Sequence, residues 1–207
     1  MTGIDRTSYW DDVWRRKAPE EVSWFEASPE VSLGLLDAVG AGPTSVVVDV
    51  GAGASRLVDA LLARGFVDVT ALDISPAALE ATRRRLAAAA DGVEWIVADV
   101  TRWRPTRTYD VWPDRAAFPF LEDDRDRRAH RNDLERAHSP GGHAIVSTFA
   151  PDGPERCSGL PVVRQDAEAL ASFFGPAFEL ARSVRHDHRT PGGAVQRFQF
   201  TVLRKSS

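Results

Sequence analysis

Apolar and polar positions along the chain follow two rhythms, and the switches between them mark off strand-like and helix-like segments. Residues 45–50, SVVVDV, form a continuous β-branched run of the kind buried on both faces of a parallel sheet. Residues 67–72, 93–98, 109–112 and 143–149 repeat that signal and predict four more strands. Between them, residues 57–64 have helical spacing and stop at Gly65, and another helix opens at Ser75-Pro76, an N-cap followed by proline at the first helical position. Upstream, residues 7–17 gather Trp10, Val13 and Trp14 on one side of a short helix, and residues 29–39 predict a second helix capped by Ser28. Downstream come a charged helix over 123–137, stopped by Ser139-Pro140-Gly141-Gly142, and a helix over 166–174. Two strands over 178–186 and 196–204 follow, joined by a turn around Pro191-Gly192-Gly193.

Strand–helix alternation closed by a strand pair predicts an α/β sandwich, parallel over most of its width with a hairpin at one edge. At 207 residues, without repeats or a Pro/Ser-rich linker, the chain reads as one domain. Within it, residues 1–40 form an N-terminal helical cap, 45–150 a ligand-binding core, and 151–207 a lid loop, helix and C-terminal hairpin. The 27% charged, 43% hydrophobic composition is that of a globular chain. One cysteine, Cys157, excludes an internal disulfide framework and fits a reducing, cytoplasmic setting. No apolar run approaches the ~20 residues of a membrane span. A net charge of −4 argues against a general grip on nucleic-acid phosphates.

The chemistry concentrates in residues 46–55, VVVDVGAGAS, where a buried strand ends in Asp49 and Gly51 and Gly53 turn the chain into a helix. Open α/β sheets bind ligands at the carboxyl ends of their strands, and glycines there let a ligand approach the bare backbone. A dinucleotide loop wants a third glycine where this chain has Arg56, and Asp49 would repel a phosphate but welcome a cationic nucleoside. Asp73, 22 residues beyond Gly51, ends the second strand where a carboxylate can accept from both ribose hydroxyls. Asp99-Val100 ends the third, where the carboxylate can accept from an adenine amino group while Val100 and Ile74 sandwich the ring.

DVGAGAS, LDIS, ADV and a YDVW strand together resemble the class I S-adenosylmethionine-dependent methyltransferases, over nearly the whole chain. The opening YWDDVW…VSWF further resembles a subgroup of small bacterial methyltransferases and eukaryotic protein-lysine methyltransferases. The resemblance implies a Rossmann-like three-layer sandwich with a mostly parallel seven-stranded sheet, order 3-2-1-4-5-7-6, and an antiparallel last strand. It implies S-adenosyl-L-methionine as cofactor, with the glycine loop on the methionine moiety, Asp73 on the ribose and Asp99-Val100 on the adenine.

The methyl acceptor is a nucleophilic nitrogen, oxygen or sulfur, with a small molecule favoured over a protein lysine. A nucleoside-binding module without transfer activity and a nicotinamide-dependent oxidoreductase are the rival readings. Just past the fourth strand, Asp114 is the candidate for acceptor contact or proton removal, and Arg115 for pairing with an acceptor carboxylate. Phe118 and, in the lid loop, Cys157 complete the expected substrate-facing set. Trp10 and Trp24 are expected to roof the cofactor. His186 and His188, at i, i+2 on one strand face, find no carboxylate partner in the sequence pattern, so no metal is expected.

Overall fold

A computed structural model describes residues 5–115 and 117–206; residues 1–4 of the expected cap lie outside the described residues. Seven strands make one sheet: β1 Val46–Val50, β2 Asp68–Asp73, β3 Val93–Val97, β4 Tyr109–Asp114, β5 His138–Phe149, β6 Phe178–Arg189 and β7 Val195–Lys205. Their order is β3-β2-β1-β4-β5-β7-β6, as expected. Pairing is parallel from β3 through β5, and β7 runs antiparallel to both β5 and β6. The helices are α1 Arg6–Arg16, α2 Glu30–Ala38, α3 Leu57–Ala63, α4 Pro76–Leu86, α5 Asp124–Ala137 and α6 Ala167–Phe174.

Alternation along the strands feeds two hydrophobic layers. Val47, Val69, Val111 and Ile145 pack with Leu36 of α2, Leu61 of α3 and Leu79 of α4. Val48, Leu72, Trp112 and Val146 pack on the opposite face with Leu134 of α5 and Leu170 of α6. Apolar stripes on both faces make the three-layer sandwich stable without a separate second core.

Local chemistry sets most helix starts. Asp5 accepts from the Thr7 and Ser8 amides, Ser75 from the Ala78 amide, Asp123 from Arg125, and Asp166 from Ala169. Two expectations are corrected. Pro29 rather than Ser28 occupies the N-cap position of α2, with no side-chain cap bond. The turn expected at Ser139-Pro140-Gly141-Gly142 lies inside β5, which starts at His138. The pairing jumps from Tyr109–His138 to Val111–His143, so these residues bulge out of the ladder. Gly142 permits this, because a Cβ there would stand 2.8 Å from the Asp110 carbonyl oxygen.

Candidate active site

A cavity opens at the carboxyl rim of the sheet, beneath α1 and Trp24, and runs from the ends of β2 and β3 to the inner faces of β5, β6 and β7. At its first end the loop after β1 bends through Gly51 and Gly53, with φ of 67° and 54°. The Gly53 amide donates to Asp73 Oδ2 and the Ser75 amide to Asp73 Oδ1, both at 2.8 Å. A Cβ on Gly53 would lie 3.1 Å from Cζ2 of Trp14 at a positive φ, so the loop fits under α1 most closely as bare backbone. Asp73, Ile74, Asp99, Val100, Gly51 and Gly53 all line the cavity, as do Trp10 and Trp24.

Burial pushes the Asp73 carboxyl up to about 6, against the pull of amide hydrogen bonds from Ser75, Gly53 and Ile74. Asp99 has a second duty that strand-end position alone does not reveal. Its Oδ1 accepts from the Thr101 amide at 2.9 Å and hydroxyl at 2.8 Å, while Oδ2 sits 4.0 Å from Arg6 Nε. Asp49 is corrected from wall to foundation. It is 1% exposed, does not line the cavity, and its Oδ2 has no partner. Burial raises its carboxyl to about 7, with Asp73 and Asp114 pushing the same way and Arg115 opposing. An orphaned buried carboxylate oxygen below a glycine cradle fits a ligand carrying positive charge.

The roof is latched from α1. Asp11 accepts from the Ser75 hydroxyl and the Ala77 amide, each at 2.9 Å, which ties the helix to the start of α4. The Tyr9 hydroxyl donates to the Ser158 carbonyl, in a turn whose flanks, Arg156–Cys157 and Leu160–Pro161, pair as a small hairpin. Trp24 meets Trp10 and Trp14 edge-on at centroid distances of 6.0 Å each, and Trp10 meets Phe120 at 4.8 Å.

At the second end Glu26, which the sequence left unassigned, comes together with Arg115, His186 and His188. Arg115 Nη1 donates to Glu26 Oε2 at 3.0 Å, and Glu26 Oε1 stands 3.8 Å from His186 Nε2 and 4.0 Å from His188 Nδ1. Phe149, Phe198 and Phe200 give the surrounding apolar wall. Arg115 and Cys157 line the cavity. Cys157 is buried, and that burial raises its thiol pKa, so it offers a neutral surface rather than a thiolate.

Asp114 and Phe118 are corrected: neither lines the cavity, and both are fully buried. Asp114 Oδ1 accepts from the Ala117 and Phe118 amides at 3.0 and 3.1 Å, and Oδ2 is 2.7 Å from His130 Nε2 of α5. Its carboxylate braces the turn after β4. Phe118 packs behind it, with ring centroids 5.6 Å from His130 and 5.7 Å from Phe174. Glu26 was detectable only as the acidic residue after VSWF; nothing in the spacing tied it to two histidines 160 and 162 residues away.

Residues 47–142 match a family model described as a methyltransferase domain. No curated protein sequence matches the chain. Among solved structures, the N-methyltransferase NodS from Bradyrhizobium japonicum, in complex with S-adenosyl-L-homocysteine, is 14% identical at TM-score 0.72, covering 96% of this chain and 100% of its own. The 1,6-didemethyltoxoflavin-N1-methyltransferase of Burkholderia thailandensis is 22% identical at TM-score 0.70, covering 97% and 85%. An S-adenosylmethionine-dependent methyltransferase from Anabaena variabilis is 15% identical at TM-score 0.77, covering 98% and 96%. At such identities these likenesses speak for the fold, whereas the domain match spans the glycine loop and all three acidic strand ends. Residues 47–142 are thus similar to a methyltransferase domain, and the chain as a whole shares the fold of these methyltransferases.

Proposed function

We propose that the chain methylates a small molecule held in the second end of this cavity, with the cofactor in the first. The observation that carries the reading is the continuity of one roofed cavity from Asp73 and Asp99 to Glu26, Arg115 and the Phe149–Phe198–Phe200 wall. A pocket closed over by the chain's own α1 and hairpin suits an acceptor that can be enclosed. Two fold neighbours support it: NodS is an N-methyltransferase, and the Burkholderia enzyme was solved with 1,6-didemethyltoxoflavin beside S-adenosylhomocysteine.

Asp73 binds the ribose hydroxyls through the lone pairs that Gly53 and Ser75 leave free. Asp99 Oδ2, which does not serve Thr101 and stands 4.0 Å from Arg6, takes the adenine amino group, with Ile74 and Val100 against the ring. The backbone at Gly51 and Gly53 holds the methionine moiety, and Asp49 supplies negative potential from below. The bound cofactor supplies an electrophilic methyl on a sulfonium. The protein then contributes alignment and exclusion of water, which in well-aligned systems reach effective molarities of ~10⁵ M or more. Residues 5–40 act as the cap, 45–150 as the cofactor core, and 151–206 close the acceptor end.

Calorimetric titration with S-adenosylhomocysteine is expected to give saturable heat. Asp73→Ala should weaken that binding by about 1–3 kcal/mol, and unchanged affinity would reject the ribose assignment. Radiolabelled methyl supplied with a cell extract should appear in the small-molecule fraction after separation by size. Label confined to protein would overturn the small acceptor in favour of a protein lysine.

A further inference from the structure

We infer that Glu26, His186 and His188 form a cage for an amino nitrogen of the acceptor, and that His188 takes its proton. The inference rests on the transferase reading above and names the atom to be methylated. His188 Nε2 is 2.8 Å from the Ser23 carbonyl oxygen, which can only accept, so Nε2 carries the hydrogen. In neutral His188, Nδ1 is therefore a bare lone pair, and it faces Glu26 Oε1 at 4.0 Å. The same carboxylate oxygen faces His186 Nε2 at 3.8 Å. The three ligand atoms all lie within 4.8 Å of one another, on the cavity wall. The Glu26 oxygen and the His188 lone pair are two acceptors converging on one point, mutually repulsive until something with hydrogens, or a cation, sits between them.

Two features select a nitrogen over a metal ion. Arg115 already neutralises Glu26 through Oε2 at 3.0 Å, so with neutral imidazoles the cage has no net charge to offer a dication. The gaps of 3.8 and 4.0 Å also exceed the roughly 3.4 Å between ligands of a tetrahedral zinc with bonds of ~2.0–2.1 Å. They fall within the ~4.7 Å spanned by acceptors around a tetrahedral nitrogen hydrogen-bonded at about 2.9 Å. A hydroxyl or thiol brings one hydrogen for the two lone pairs of Glu26 and His188, whereas an amino group brings two.

The proton balance closes on the same residues. The acceptor nitrogen's lone pair forms the new N–C bond as the C–S bond of the sulfonium breaks, and that electron pair stays on sulfur as a neutral thioether. The N–H proton passes to Nδ1 of His188. The resulting imidazolium keeps its hydrogen bond to the Ser23 carbonyl and faces the Glu26 carboxylate across 4.0 Å, whose negative charge offsets its own.

The test supplies the wild-type protein with cofactor carrying a ¹³C-methyl group and a whole-cell extract. The carbon shift of the product is then read by NMR, because N-, O- and S-methyl carbons resonate apart. Methyl on nitrogen, whether in a small amine or a lysine, is the expected result. Methyl on oxygen or sulfur, or no transfer by protein that binds S-adenosylhomocysteine, overturns the cage. Failure to bind S-adenosylhomocysteine overturns the transferase reading beneath it. Glu26→Gln and His188→Ala should each slow transfer by at least about a hundredfold with S-adenosylhomocysteine affinity unchanged; undiminished rates would refute the assignment. Zinc copurifying at one per chain, and lost in His188→Ala, would replace the amine with a metal centre.

Discussion

Asp73 and Glu26 anchor opposite ends of one cavity, and they are held in different ways. Asp73 is gripped by amides two residues ahead and twenty behind, both on turns that leave neighbouring strands. Glu26 is met by side chains from two distant segments: Arg115 after β4, which donates to it, and two histidines of β6, which face it. Backbone amides are present whatever the side chains are, so the first end can persist while residues around it change. The second end exists only where a particular set of side chains converges, which is how one fold accepts different substrates.

The sharpest way to break this contrast is through a carboxylate that belongs to neither end. Asp114→Ala would strip partners from two amides and His130 in a fully buried position. Urea unfolding should report a loss of about 3–5 kcal/mol, while the fraction that folds still binds S-adenosylhomocysteine normally. A stable variant with impaired transfer would instead return Asp114 to the acceptor.

Next in size is the backbone end itself. Gly53→Ala places a Cβ at φ 54° and 3.1 Å from Trp14, a strain of about 1–3 kcal/mol. Calorimetry should show nucleoside affinity falling by about tenfold or more. Equal affinity would mean that α1 yields freely and that the cradle is not set by bare backbone.

Protonation sharpens the comparison further. Asp49 and Asp73 are raised to about 7 and about 6, from an ordinary value of 3.8. A carboxyl raised on folding keeps its proton in the native state after the unfolded chain has lost it. Its contribution to stability is therefore whole below pH 3.8 and fades as pH climbs through about 6 to 7. Urea midpoints taken across that window should decline, and Asp49→Asn should flatten the decline. Because an ionised Asp49 favours a neighbouring cation, S-adenosylmethionine should bind more tightly as pH rises through about 7. A flat profile would remove Asp49 from the cofactor's field, which Arg115, Asp73 and Asp114 share.

The smallest expected effect belongs to Asp99→Asn. One of its oxygens already serves Thr101, so nucleoside affinity should drop by only about 1 kcal/mol. A loss as large as that of Asp73→Ala would make adenine, rather than ribose, the main anchor.

The contrast also explains what could be read from the chain alone. The glycine turn and the Ser75 cap follow from local rules, so β1, β2 and α4 were legible, whereas the strand order came only through the family resemblance. Asp114 was misjudged because a strand-end carboxylate looks alike whether it faces solvent or the turn behind it. Only the Ala117 and Phe118 amides and His130, sixteen residues on, decide its direction. The i, i+2 histidines showed a shared face, yet their carboxylate lies 160 residues earlier, a distance no periodicity bridges. The bulge at Ser139-Pro140-Gly141-Gly142 was read as a break because proline and glycine punctuate turns and irregular strands alike.

The indole cluster over the cavity gives the molecule a built-in optical reporter. Trp10, Trp14 and Trp24 line the ligand space, whereas Trp95, Trp103 and Trp112 are not part of its wall. Unlabelled protein should therefore signal occupancy through a change in ultraviolet emission, and replacing the three bordering indoles with phenylalanine should silence that signal.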